Sequence, residues 1–373
     1  MIAESDRRTR GDSGVRSSAL LALILLLASG CARPSSAPPA APAPATPARP
    51  GDTPAATAPR DAPQDLTHLT LAYSTASAAN SPLQLAQDRG IFRANGLDVD
   101  LIHAPGNTGP AAVLAGQAQM LSSGCTEAVG AIAGGADFVV VLTSINRLQY
   151  ELVGGPSVTN VDALRGKRLA VSRIGSSSHL ALRFIVKYLG LDPDQDVSYV
   201  QVGNTPERVS ALLAGSVDAS ILSSDEATLI GNQPGMHTIV DMTTEDQPYC
   251  GNALVMTRQY TRDAPDVGRR LTRALVEALA RFRQSKAEGT DAIARFLNDD
   301  DLDKAAQLWE TWVRLFPEKP YPDPRGLQFV LDELAQTDPR AKALTPDQLI
   351  DATWVRELDQ SGFLDSLYRS ANR

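Results

Sequence analysis

The spacing of apolar positions divides this chain into stretches with different rhythms. From residue 66 onward, short apolar runs alternate with helical spacings. Residues 69–73 (Leu-Thr-Leu-Ala-Tyr) predict a strand, followed by a small-residue turn over 74–79. Asn80 or Ser81 is placed to cap the next helix, with Pro82 at its first position. Gly90 interrupts that helix, which resumes at Ile91 and stops at Asn95-Gly96. A strand over 97–103, a glycine turn, a helix ending near Gly116 and a strand over 119–123 come next. A further helix reaches Gly134-Gly135 and precedes a valine-rich buried strand over 138–145. Alternation of this kind predicts an α/β sheet with parallel strands.

The stretch 164–226 repeats the rhythm. An apolar run over 167–172 stops at Arg173-Ile-Gly-Ser-Ser-Ser178, after which Leu180, Phe184, Ile185, Tyr188 and Leu189 mark a helix face. Three consecutive serines at a strand-to-helix turn offer hydroxyls and backbone N–H groups, a combination suited to gripping a small polar or anionic group. There is also an internal echo. Leu114-Ala-Gly-Gln-Ala-Gln119 leads to Ser122-Ser123 and Glu127, as Leu213-Ala-Gly-Ser-Val-Asp218 leads to Ser223-Ser224 and Asp225-Glu226. Two equivalent lobes and a chance likeness of two helix-glycine-strand units both fit this echo. In either case the polar turns fall at the carboxyl ends of strands, where open α/β sheets bind ligands. Past a strand over 253–257, helical periodicity takes over at 267–282, 291–297, 304–316, 326–335 and 346–357. Trp309, Trp312, Phe316, Phe329 and Trp354 fall where helices pack.

The first 65 residues have neither rhythm. Arg7, Arg8, Arg10 and Arg16 precede an apolar run over 19–28 and then Ser29-Gly30-Cys31, the layout of a secretory signal over 1–30. That run is too short to span a bilayer as a helix. Leu27-Ala-Ser-Gly-Cys31 resembles the bacterial lipobox, which makes Cys31 a lipid-attachment point; an ordinary signal peptide with an incidental cysteine is the plainer alternative. Ten of the chain's 25 prolines lie between residues 32 and 65, among alanine, serine and threonine. Residues 31–65 therefore predict a lipidated cysteine and a disordered, semi-rigid tether. The expected location is extracytoplasmic, lipid-anchored to a bacterial membrane.

Charge and cysteines narrow the chemistry. A net charge of -8 argues against nucleic acid, which needs a basic face. With Cys31 lipidated, Cys125 and Cys250 remain as an even pair in an oxidising compartment. A disulfide and two free thiols both stay open, because sequence does not give their separation. No histidine lies close to either cysteine, so no metal and no cofactor are expected. No Ser-His-Asp order, paired-carboxylate motif or phosphate loop appears, and no catalytic residue is assigned.

Several segments together carry a resemblance. Ser81-Pro-Leu-Gln-Leu-Ala-Gln-Asp-Arg-Gly-Ile-Phe92 with Asn95-Gly-Leu-Asp-Val99 resembles the opening of extracytoplasmic solute-binding proteins of ABC importers. The group in question includes the nitrate, sulfonate, taurine and thiamine-pyrimidine-precursor binders. Asp162-Ala-Leu-Arg-Gly-Lys167, Val171-Ser-Arg-Ile-Gly-Ser-Ser-Ser178 and 213–219 extend the match. The resemblance implies an α/β, two-lobe clamp of the type 2 periplasmic-binding-protein class with a helical C-terminal extension of lobe one. Lobe one would hold 66–156 and, after the return at 246, the rest to 373; lobe two would hold 157–245. Ligand contacts would come from Ser74, Thr75, Ser77, Ser122 and Ser123 in lobe one, and from Arg173, Gly175, Ser176, Ser177, Ser178, Asp225 and Glu226 in lobe two. Tyr249 would line the cleft. Plainer roles compete: the serines as helix caps, Arg173 as a carboxylate's partner, Asp225 and Glu226 as an acidic first turn, His179 as a structural residue.

The implied function is a monomeric, membrane-anchored receptor that captures a small polar, anionic or sulfonate-like solute and delivers it to an ABC permease and its ATPase. A sensory module with the same clamp is the alternative, and a biosynthetic enzyme on this fold a weaker one. The enzymes of that kind carry a cysteine-rich segment and an essential histidine, and nothing equivalent occurs here.

Overall fold

The strands sort into two five-stranded sheets with one topology. The computed structural model describes residues 66–230 and 233–369; the signal segment, Cys31 and the tether lie outside them. In chain order the strands are β1 Thr67–Tyr73, β2 Leu97–His103, β3 Met120–Gly124, β4 Phe138–Arg147, β5 Tyr150–Gly154, β6 Lys167–Val171, β7 Val197–Gln201, β8 Ala219–Ser223, β9 His237–Asp241 and β10 Pro248–Thr257. The first sheet runs β2-β1-β3-β10-β4 and the second β7-β6-β8-β5-β9. In each, three parallel strands are joined by helices, and one antiparallel strand enters from the other side. The chain crosses between the sheets twice, after β4 and after β9.

The lobe boundary needs one correction. Tyr150–Gly154, read from sequence as the end of lobe one, pairs with β8 and β9 and belongs to the second sheet. The first crossover therefore falls between Arg147 and Tyr150, ahead of the expected 156/157 boundary. The run Tyr-Glu-Leu-Val-Gly follows β4 without a helix, so nothing in its pattern signals a change of sheet. The return strand also starts earlier than residue 253, at Pro248.

The internal echo is structural. The Thr108–Leu114 and Thr205–Leu213 helices occupy equivalent places, and each is followed by a left-handed glycine, Gly116 at φ 72 and Gly215 at φ 70. Only glycine enters that region without a steric penalty, so the Ala-Gly ending of both helices is a stop signal. The likeness extends to single hydrogen bonds. Gln119 Oε1 accepts from Thr70 N at 2.7 Å, and Asp218 Oδ2 accepts from Arg168 N at 2.9 Å. Residues 119 and 218 stand at the same place in the echo.

The tail packs on lobe one. The Pro265–Gln284, Lys286–Leu297 and Leu302–Leu315 helices bury Leu271, Phe282, Ile293, Leu308 and Trp312 against the Ser81–Asp88 helix and the first sheet. The expected helix over 346–357 is split into Pro346–Leu349 and Thr353–Gln360. Ile350 between them forms a parallel bridge to Val140, and Asp351 N donates to Val140 O at 3.0 Å. β4 is an edge strand whose open backbone groups need partners, and this extended residue supplies one. The Pro324–Leu334 helix lies on β10 and reaches lobe two, where Phe329 meets Phe184 with ring centroids 4.5 Å apart.

Candidate functional site

Strand ends from both sheets converge where the lobes meet. On lobe one, β1 ends in the turn that carries Ser74, Thr75 and Ser77. Ser74 N donates to Ser122 O at 2.9 Å, and Ser77 caps the Ala78–Asn80 turn by accepting from Ala79 N. Ser122 donates to Asn80 Oδ1 at 2.7 Å, and Asn252 Nδ2 donates to Ser122 Oγ and Ser144 Oγ at 3.1 and 3.0 Å. All four of these side chains are buried, so the network fixes the turn against β3, β4 and β10. A cavity of about 20 Å³ lies beside it, lined by Asn80, Ser122, Ser144 and apolar side chains, which is room for one water molecule. Ser123 is buried too, and its hydroxyl donates to Gly124 O.

Cys125 and Cys250 form a disulfide, with Cα atoms 5.5 Å apart. Of the two possibilities left open by the sequence, the bridge is the one the fold builds. It joins the start of the Cys125–Ala133 helix to β10 and holds Thr126 beside Tyr249, whose hydroxyl bonds Thr126. Tyr249 is buried and packs edge-on against Phe329.

The serine turn of lobe two is organised around itself. Ser172, Ser176 and Ser178 place their hydroxyls in a triangle of 2.9, 2.9 and 3.0 Å. Ser172 N donates to Ser178 Oγ, Ser176 Oγ to Arg173 O, and Gly175 N to His179 Nδ1 at 3.0 Å. Ser176 stands at the N-cap position of the Ser177–Tyr188 helix without a side-chain capping bond. Arg173 is exposed, as is Thr75 in lobe one. His179 is buried against Tyr199; burial, then the charge of Arg183, lowers its pKa.

The two acidic residues at the start of the Ser224–Ile230 helix have separate surroundings. Asp225 is buried and reaches into lobe one, where its carboxylate accepts from Ala78 N at 3.1 Å and from the Trp312 indole N–H. Burial raises its pKa, and both hydrogen bonds oppose the shift. Glu226 stays in lobe two, accepting from Ser223 Oγ. Burial first, then the neighbouring Asp225, pushes it up to about 7, against the pull of Arg208.

Residues not named as ligand contacts from sequence complete the picture. Glu127 is the third residue of its helix, as Glu226 is of the equivalent one. Burial raises its pKa against a hydrogen bond from Ser74, and its Oε2 has no donor among the described residues. Gln149 Oε1, at the first crossover, is likewise buried without a donor. Tyr150 feels the charges of both Glu127 and Glu226, and burial raises its pKa. Arg208, 4% exposed, donates to Ile221 O, Gly203 O and Thr205 Oγ1. The echo places Glu127 opposite Glu226, and Arg208 stands four residues before Leu212 on a buried helix stripe; both signals were readable. Among the described residues no cluster of His, Cys, Asp and Glu could hold a metal ion.

Arrangements of this kind can clasp a small polar molecule by hydrogen bonds from two sides. Residues 78–286 match the family described as NMT1/THI5 like. The chain is 22% identical over 265 residues to YtlA of Bacillus subtilis (strain 168), described as a candidate binding protein, covering 69% of this chain and 79% of that one. Among solved structures, the aliphatic sulphonate binding protein SsuA of Escherichia coli superimposes with a TM-score of 0.58 at 20% identity, covering 79% of this chain and 92% of the other. The nitrate-binding protein NrtA of Synechocystis PCC 6803 gives 0.63 at 15% identity, covering 82% and 92%. The chain thus belongs to the NMT1/THI5-like family and is built on the two-lobe fold of the periplasmic binding proteins.

Proposed function

We propose that the protein is the membrane-anchored solute receptor of an ABC importer, monomeric and extracytoplasmic, tethered through a lipid on Cys31. It captures a small polar solute between its lobes and presents the closed form to a permease and its ATPase. The observation that carries this reading is the facing of equivalent strand ends from two sheets of one topology, with a lobe-two carboxylate seated in a lobe-one turn. The disulfide fits an oxidising compartment. No helix among the described residues is long and apolar enough to cross a membrane.

The class of solute follows from the polar groups on offer. The names of SsuA and NrtA favour a sulfonate or nitrate-like anion, in line with the serine turn. The carboxylates Glu127 and Glu226, and the unfilled acceptor of Gln149, favour a solute that brings N–H donors. A thermal-shift screen with alkanesulfonates, taurine, nitrate and aminopyrimidines separates the two. Stabilisation by one class, with one molecule bound per chain and no turnover, supports the receptor reading. Product formation from any of them would contradict it.

A further inference from the structure

We propose that Asp225 is a latch between the lobes, and that its contact with Ala78 and Trp312 sets the balance between open and closed clamp. The proposal deepens the receptor reading and rests on it. Asp225 belongs to lobe two, in the first turn after β8. Both of its donors belong to lobe one: Ala78 N in the turn after β1, and the indole N–H of Trp312 in the Leu302–Leu315 helix. The bonds span 147 and 87 residues of sequence, so neither is a local cap.

Three features make this more than one contact among many. First, the bonds exist only while the lobes touch; on opening, carboxylate and donors return to water. An interaction present in one state and absent in the other is what biases a conformational equilibrium. Second, Trp312 is fully buried, and its indole nitrogen has to find an acceptor. Phe316 and the tail helices fix the ring, yet the acceptor comes from the opposite lobe. The tail thereby carries half of the latch as well as covering lobe one. Third, the equivalent second position of the Cys125–Ala133 helix is Thr126, which bonds Tyr249 beside the second crossover. The two lobes are alike in topology, and this position is where they diverge, one side holding the hinge and the other reaching across the gap. Of the charged groups near Asp225, Glu226 lies on its own helix and Lys304 on the tail helix that carries Trp312.

Small-angle scattering of the purified protein without added solute, compared with D225A, D225N, W312F and the D225A/W312F pair, tests this. D225A and W312F should each enlarge the radius of gyration, lowering the closed-to-open ratio by roughly tenfold or more. D225N keeps the size of the side chain but turns either an N–H toward Trp312 or its single oxygen away from Ala78, and should open the clamp partway. The double variant should open no further than D225A, since the bond that W312F removes is already absent in D225A. Circular dichroism melts show which variants are folded, and W312F and D225N carry the test if D225A is not. Folded variants with wild-type scattering would overturn the latch, as would W312F adding fully to D225A. The receptor reading is judged separately, by whether a solute from the screen stabilises the wild type with one molecule bound per chain.

Discussion

Breaking the Cys125–Cys250 bond should destabilise the protein more than any single core substitution near the cleft. One cysteine opens the helix after β3 and the other lies on β10, and β4 and the whole of lobe two lie between them in sequence. The bond therefore closes a loop with a sequence separation of 125 residues, at the base from which lobe two is looped out. Loop-closure entropy for that length comes to about 5 kcal/mol, and native disulfides commonly deliver about 3–5. With an unfolding entropy of about 2 cal/mol/K per residue over the folded region, the melting temperature should fall by about 5–8 °C. The assay is calorimetric or circular-dichroism melting of the wild type with and without reductant, alongside the C125S/C250S variant. Thr126 and Tyr249 flank the bond, so the reduced protein should also bind solute less tightly. A fall below about 2 °C, with mass spectrometry confirming complete reduction, would refute the reasoning.

Further outcomes follow from particular residues. Glu226 titrates near 7 in the folded protein against an ordinary value of 4.5, so its neutral form favours folding. That contribution is complete below about pH 4.5 and is lost as pH rises through about 7, up to about 3 kcal/mol in all. Melting temperature should decline from pH 5 to pH 8, and E226Q should flatten the decline; an unchanged slope would contradict the burial of this carboxyl among Asp225, Arg208, Tyr150, Ser223 and Thr205. Gly326 faces backbone: a Cβ there would lie 2.7 Å from Tyr249 C and 2.8 Å from Cys250 N. Backbone atoms cannot swing aside, so G326A should cost about 1–3 kcal/mol. Gly130 has nothing within 4 Å of its would-be Cβ and sits in a helix, so G130A should stabilise by about 0.5–1 kcal/mol. Melts of the pair with the same sign would show that the close packing on β10 is misplaced.

Periodicity and turn chemistry made most of the architecture legible. The strand over 97–103 was read to the residue, and both Ala-Gly helix endings marked true left-handed stops. Where the reading fell short, a tertiary demand outweighed a local one. Tyr150–Gly154 gives no local sign of joining the second sheet, because pairing partners far along the chain, in β8 and β9, decide it. Ile350 breaks a plausible helix because the edge of β4 needs covering. At the candidate site, residue type pointed to strand ends but not to the partners. Ser176, Ser177 and Ser178 looked like donors for a ligand, and nothing in their pattern showed that the hydroxyls of Ser176 and Ser178 bond each other and Ser172. Asp225 looked like a first-turn acid for its own helix, and its bonds lie in the other lobe. A one-dimensional pattern holds the direction of a side chain far better than what it meets.

The central claim is a clamp that closes over a small solute. It is tested most directly by scattering on D225A, in which the inter-lobe latch is removed, with and without a saturating amount of whichever solute gives the largest thermal shift. The account predicts that the radius of gyration falls on saturation, with one molecule bound per chain. Saturable binding that leaves the radius unchanged would contradict it.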